Sequence, residues 1–208
     1  DIVINELDAL AHIDLKTKEI KAIGRTLNIV RIGTSGSVQA DIPVDSFVIS
    51  EKSIGCDGVL RFYANNESVC DHPFEEAFIR HCQWTSSAAR PYVVNADPGL
   101  VDRLYDEEHT IKGVTLTAVG FYGPQGRVLR LPLAMPGIND RITAFRYEGY
   151  KVTNYEMESA AITGLCNLLG HRAATICLII ANRINGDASA DYHSYMNKLI
   201  RYTLEKLS

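Results

Sequence analysis

Two carboxylates flank a methionine at Glu156-Met157-Glu158, where a β-rich run, Tyr150 to Tyr155, gives way to an apolar stretch, Glu158 to Leu169. An ionised glutamate only accepts hydrogen bonds and can take two donors side by side. Beside a thioether, that suits a ligand with an apolar body and adjacent hydroxyls, such as a ribose diol. Acidic residues in a first helical turn also commonly complement the helix dipole, so both readings stand on this stretch alone. Residues two apart lie about 200° apart on a helix. The spacing therefore predicts that at most one of Glu156 and Glu158 points into a given pocket, with Met157 beside it.

Two further groups carry chemistry. Arg31, Thr34, Ser35 and the backbone of Gly33 and Gly36 gather at a strand end. A guanidinium forks onto an oxyanion, and hydroxyls and glycine amides add neutral donors, which together suit a phosphate. A Gly-rich turn with Arg31 closing a surface ion pair reads equally well, and no Gly-Lys-Ser/Thr follows to make a Walker loop. Gln125 and Arg127 stand two apart in a loop with Gly120, Gly123, Pro124 and Gly126. The amide offers an acceptor and two donors on one planar edge, and the guanidinium offers donors only. An exposed polar loop would look the same.

These groups need elements to hold them. Asp1 to Leu10 reads as a helix and Asp14 to Arg25 as a connection. Leu27 to Ile32 is a near-continuous apolar strand, as in a sheet covered on both faces, with Gly33 to Gly36 after it. Val44 to Ser50 is a second strand. Phe74 to Cys82 is a short helix, and Asp97-Pro98 caps one running to about Glu108. Ile111 to Val119 alternates as a strand, and Asn139 to Tyr147 reads as helical. Glu158 to Leu169 is a helix with Met157, Ala161, Leu165, Leu168 and Leu169 on one face, and Gly170 can end it. Ala174 to Ile180 is a fully apolar strand. A last helix opens at Ser189 or Asp191. Strands alternate with helices, and each distinctive polar group follows a strand, the arrangement of an α/β sheet with its site at the strands' carboxyl ends.

Composition narrows the classes. Hydrophobic residues make up 46% and charged residues 22% of the 208, with a net charge of −4. That argues against a nucleic-acid binder, which would normally carry a basic face, and no apolar run approaches the ~20 residues that span a bilayer. The five cysteines, Cys56, Cys70, Cys82, Cys166 and Cys177, are odd in number and widely spaced, which points to reduced thiols and the cytoplasm. The six histidines show no spacing of a metal site or triad, so no metal is expected.

Asn154-Tyr155-Glu156-Met157-Glu158-Ser159-Ala160 resembles the ribose-binding motif of uridine phosphorylases, within the nucleoside phosphorylase family. Arg31-Ile32-Gly33-Thr34-Ser35-Gly36 and Phe121-Tyr122-Gly123-Pro124-Gln125-Gly126-Arg127 match as well, in the same order along the chain. The resemblance implies one domain over 1–208, a three-layer α/β/α sandwich around a mixed, partly barrel-like sheet. It implies phosphorolysis of uridine, without cofactor, inorganic phosphate being a substrate. Arg31 and Thr34 would hold phosphate, helped by Ser35 and Gly36, with Thr34 also near the ribose. Glu158 would hold the ribose, flanked by Glu156 and Met157. Gln125 and Arg127 would complement the acceptor–donor–acceptor edge of uracil, with Phe121 stacked on the ring. Purine-cleaving relatives carry an Asp where this chain has Asn182. A uracil anion can leave without a general acid, and Arg183 would support Gln125 or Arg127.

The family also supplies a Gly-Asp phosphate loop from an earlier strand, and an Arg and a His from a neighbouring subunit. Those segments would precede Asp1, so the domain is expected to be incomplete at its amino terminus. A homodimer or homohexamer with sites at the dimer interface is expected. A related phosphorylase or nucleosidase of other base specificity, or a nucleoside-binding remnant without catalysis, are the alternatives.

Overall fold

The computed structural model describes residues 1–208. At its centre is β7 (Arg172–Asn182), the fully apolar run, buried without a break from Ala173 to Ile179. It lies between β1 (Asn28–Ser37), parallel to it, and β2 (Phe47–Gly55), antiparallel. The sheet continues in parallel through β4 (Thr110–Thr117) to β6 (Tyr150–Glu156), while β3 (Tyr92–Asn95) and β5 (Arg146–Tyr147) add antiparallel to β2 and β6. β6 returns to β1, with Gly36 opposite Tyr155 and Ser37 opposite Asn154. That last pairing closes β1, β7, β2, β4 and β6 into a ring, the barrel-like part of a mixed sheet. It also brings the last residues of β1, β6 and β7 together.

Helices cover the sheet on several sides. α2 (His72–Cys82) and α4 (Ile138–Ala144) bury Phe74, Phe78, Ile142 and Phe145 against Ile54, Val93 and Leu116. α3 (Pro98–Leu104) and α6 (Tyr192–Leu207) cover Ile49, Ile176 and Leu178. α1 (Ile2–His12) and α5 (Ser159–Leu168) enclose Tyr92, Val94 and Ala173. Asp71, Asp97 and Asp191 each accept the backbone N–H three residues on, as N-caps do. At the end of α5, His171 N–H reaches Cys166 O at 2.8 Å and Gly170 N–H reaches Asn167 O at 3.3 Å, with Gly170 at φ +76°. This is a Schellman stop, and it requires the left-handed conformation that glycine adopts without strain.

Several expectations are corrected. β1 does not stop at Ile32 but runs through Gly33–Gly36 to Ser37, so those glycines are strand and not a turn. β1 is only half-buried over most of its length, with Val30 and Ile32 packed on the cluster under α3 and α6 and Ile29 on the cluster under α1 and α5. The second strand starts at Phe47, not Val44. The helix after Asp97 ends at Leu104, where Tyr105 turns extended. The helix before β5 ends at Ala144, and Arg146–Tyr147 pair with β6. α5 starts one residue late, and its buried face is Ala160, Thr163, Gly164 and Cys166 with Leu165, leaving Met157 outside and exposed. The histidines are not all unrelated. His12 Nδ1 and His171 Nε2 lie 2.9 and 3.2 Å from Asp8 Oδ1. His171 Nδ1 accepts from Leu27 N–H at 3.2 Å, and its Nε2, though close to Asp8, meets no hydrogen-bond geometry there.

Candidate active site

Where β1, β6 and β7 end together they line a cleft of about 520 Å³ with the loop after β4. Arg31, Thr34, Ser35 and Gly36 come from β1; Glu156, Met157 and Glu158 from the β6–α5 junction; Phe121, Gln125 and Arg127 from the loop; Arg183 from the end of β7. All of these residues, singled out in the sequence, thus share one cavity. Tyr155, Ile180, Ala181 and Met196 line it too. Tyr155, Ile180 and Ala181 sit inside or beside the motifs and were open to notice. Met196 reads from sequence only as core of a helix.

At one end, Arg31 folds back over Gly33. A Cβ on Gly33 would come within 2.5 Å of Arg31 Nη1, so only glycine leaves the guanidinium room. Arg31 Nη1 donates to Cys177 Sγ at 3.3 Å and lies 3.3 Å from Glu156 Oε2, while Nη2 donates to Glu158 Oε2. Burial works against the arginine's charge, but Cys177, Glu156 and Glu158 outweigh it and hold its pKa above the usual value. Burial pushes the Cys177 thiol up to about 12, so it stays protonated. Ser35 Oγ is buried beside them and interacts with the Cys177 thiol without forming a well-aligned hydrogen bond.

The two glutamates differ in what they hold. Glu156 Oε2 accepts the N–H groups of Glu158 and Ser159, both at 2.8 Å, and Oε1 accepts the Thr117 hydroxyl. Thr117 Oγ1 in turn accepts Ala160 N–H at 2.9 Å. The first amides of α5 are therefore closed off by protein and offer no phosphate site. Two expectations change. Glu156 ends a strand instead of sitting in the helix, so both carboxylates reach the same guanidinium. With its lone pairs already engaged, Glu156 serves as the cap of α5 and not as a substrate ligand.

The other end of the cleft is cationic. Arg183 Nη1 donates to Gln125 O at 3.0 Å, and Nη2 donates to Gln125 Oε1. Arg127 Nη1 donates to Phe121 O at 2.8 Å and to Gln125 Oε1 at 3.2 Å. Neither arginine has a carboxylate partner. Desolvation, then the charge of Arg127, pulls Arg183 down to about 10, still protonated at neutral pH. Arg183 lies 4.4 Å over the Tyr155 ring, and Tyr155 Oη donates to Asn139 Oδ1 at 3.2 Å. Asn139 Nδ2 binds Gln125 O at 3.2 Å. Asn139 and Tyr155 thus support the loop, a role no local sequence signal announces. One face of Phe121 already carries the Arg127 guanidinium, 3.8 Å from its centroid, leaving only the other for a base. The acceptor of Gln125, expected to be open to a base, is occupied by both arginines. Asn182 is buried and fully bonded, to Gln39 O and Ile42 O and from the amides of Ile184 and Asn185, and takes no part in the cleft.

A ring-closed mixed α/β sheet thus carries one cleft, with Arg31 between two carboxylates at one end and two arginines without carboxylate partners at the other. The profile of the Phosphorylase superfamily matches residues 15–203, and the chain belongs to that superfamily. It is similar to the uridine phosphorylase of Thermococcus kodakarensis, at 26% identity over 178 residues, 82% of this chain and 53% of that protein. It is also similar to uridine phosphorylase A of Schistosoma mansoni, at 36% over 96 residues, 45% of this chain and 32% of the relative. The chain therefore spans about half or less of the length of these curated relatives. A Trypanosoma brucei nucleoside phosphorylase described as showing uridine phosphorylase activity shares the fold, with TM-score 0.79 and 23% identity over 99% of this chain and 75% of that one. The Schistosoma mansoni uridine phosphorylase in complex with thymine superposes with TM-score 0.62 at 23% identity, covering 99% and 66%. No helix is long and apolar enough to cross a membrane.

Proposed function

We propose that the protein carrying this chain is a uridine phosphorylase, converting uridine and phosphate to uracil and ribose 1-phosphate. The observation that carries the reading is the polarity of the one cleft: Arg31 with Thr34 and Ser35 at one end, Gln125 between two uncompensated arginines at the other. Arg31, Thr34, Ser35 and Gly36 hold phosphate, and Met157 and Glu158 hold the ribose. Phosphate oxygen attacks the anomeric carbon as the glycosidic bond breaks, and its electron pair passes to the base. Arg127 and Arg183 stabilise that negative charge, so no general acid is needed, and the base takes a proton from water. Proximity and electrostatics carry the rate, with no cofactor.

Base recognition needs one rearrangement. Arg183 holds Gln125 by two hydrogen bonds, whereas Arg127 touches Oε1 only at 3.2 Å. Arg127 is the one that turns onto a uracil carbonyl. That frees a lone pair of Gln125 Oε1 for N3–H and leaves Nε2 for the second carbonyl. Cytosine presents an amine to Arg127, which has no acceptor. We expect cytidine to be rejected by about 10⁴-fold or more, thymidine to be a slower substrate for want of one hydroxyl, and inosine to fail. Phosphorolysis of the four side by side at fixed phosphate tests this; cytidine turned over as fast as uridine sinks it.

A second reading is nucleoside binding without catalysis. A Schistosoma mansoni relative, 36% identical over 87 residues, is named an inactive uridine phosphorylase. Thermal stabilisation by uridine with no phosphate-dependent release of uracil would support that reading. Five free cysteines suit a reducing compartment, and we infer the cytoplasm, with subunits paired so that sites lie at their interface.

A further inference from the structure

Three charges meet at the Arg31 end of the cleft, and their sum is negative, since one guanidinium faces the carboxylates of both Glu156 and Glu158. Phosphate brings more negative charge, and like charges so close repel strongly in a part-buried site. One carboxylate has to leave, and the two are not equivalent. The Glu156 side chain is 1% exposed and fastened to two amides and a hydroxyl, so moving it would uncap α5. The Glu158 side chain is 55% exposed, stands just outside the helix at φ −140°, and accepts from no group of the chain except Arg31.

We propose that Glu158 is an exchange ligand: phosphate takes Arg31 from it, and the released carboxylate turns to the ribose hydroxyls. The inference rests on the phosphorylase reading above. Phosphate binding alone must break the Arg31–Glu158 pair and leave the carboxylate unpartnered. Nucleoside binding alone meets a carboxylate already engaged. When both bind, each arginine and glutamate has a partner, so each substrate tightens the other. The coupling is reciprocal by thermodynamic necessity. It also places Glu158 on the ribose only when the nucleophile is in place, which keeps nucleoside from being held productively beside water.

Pseudouridine is the probe, because it keeps the ribose diol and the same carbonyl–N–H–carbonyl edge, while its carbon–carbon glycosidic bond resists phosphorolysis. Calorimetric titration of pseudouridine without and with saturating phosphate should show its Kd falling by about 5-fold or more, with the same factor for phosphate when pseudouridine saturates. Glu158→Gln keeps an acceptor of equal reach but no charge. It should bind phosphate alone at least about threefold more tightly than the wild type, and its coupling factor should fall to near one. A coupling factor of one in a wild-type protein that releases uracil from uridine overturns the exchange and leaves the phosphorylase reading intact. A Glu158→Gln protein that binds phosphate no more tightly overturns it as well. No phosphate-dependent uracil release from the wild type counts against the phosphorylase reading itself, whatever the coupling.

Discussion

Gly33 has no side chain because the Arg31 guanidinium lies where its Cβ would be. The clash is with the far end of a flexible arginine and not with backbone. Gly33→Ala should therefore leave the fold intact, with a melting temperature within a few degrees of wild type, and swing Arg31 off its present seat. The expected result is a phosphate KM raised roughly tenfold, the worth of about one charge-assisted hydrogen bond, with the uridine KM little changed. Arg31→Ala should do the same more strongly. Steady-state kinetics with each substrate varied in turn decides it, and a shift in the uridine constant alone would be the wrong outcome. Arg31, Gln125, Arg127 and Glu158 could be singled out by their donors and acceptors, the resemblance assigned their roles, and the fold brings all four into one cleft. The different work of Glu156 and Glu158 was not, because it depends on whether a strand or a helix contains residue 156.

At the scale of elements, Glu156 and Thr117 join β4, β6 and α5 at one point. Glu156 accepts the amides of Glu158 and Ser159 at the start of α5 and the hydroxyl from β4, and Thr117 passes the Ala160 amide into the same network. Glu156→Ala would leave these donors buried and unpaired. A destabilisation of roughly 3 kcal/mol is expected, since hydrogen bonds to a charged group and loss of an N-cap combine. Urea unfolding measures it, and a change below about 0.5 kcal/mol, the usual size for a surface substitution, would show that the cap is dispensable. Glu156→Gln should recover part of the loss, as it retains one acceptor oxygen. Alternating and continuous apolar runs made β4, β6 and β7 readable as strands. The sequence-level pattern could not reveal that β1 continues through Gly33–Gly36, because glycines carry no side chain to alternate and pairing with β7 and β6 decides the matter. Ring closure was reached through family likeness, since β1 and β6 are more than a hundred residues apart.

For the whole molecule, the surface beside the cleft is the feature that remains to be satisfied. Ile2, Val3, Ile4, Val59, Ala118, Val119, Ala161 and Ile162 line a hollow of about 530 Å³ that shares Met157 and Glu158 with the cleft. Ile2 is 68% exposed and Val119 63%, so apolar side chains face water together. Contiguous apolar surface of this kind marks an interaction site in a folded protein. The acidic rim of Asp1, Asp57 and Glu158 would suit a partner surface that brings a basic residue. A second copy of the protein is the expected occupant, which would seat a partner residue beside Met157 and Glu158 at the edge of the cleft. The protein should then scatter light as a dimer or larger at micromolar concentration. Val119→Asp places a charge in the hollow at an exposed position, so the fold should survive, with far-UV circular dichroism unchanged. The assembly should weaken, and uridine turnover should fall with it because Met157 and Glu158 lose their cover. A wild-type protein that is monomeric at micromolar concentration, or a Val119→Asp protein that assembles and turns over unchanged, would remove this surface from the interface.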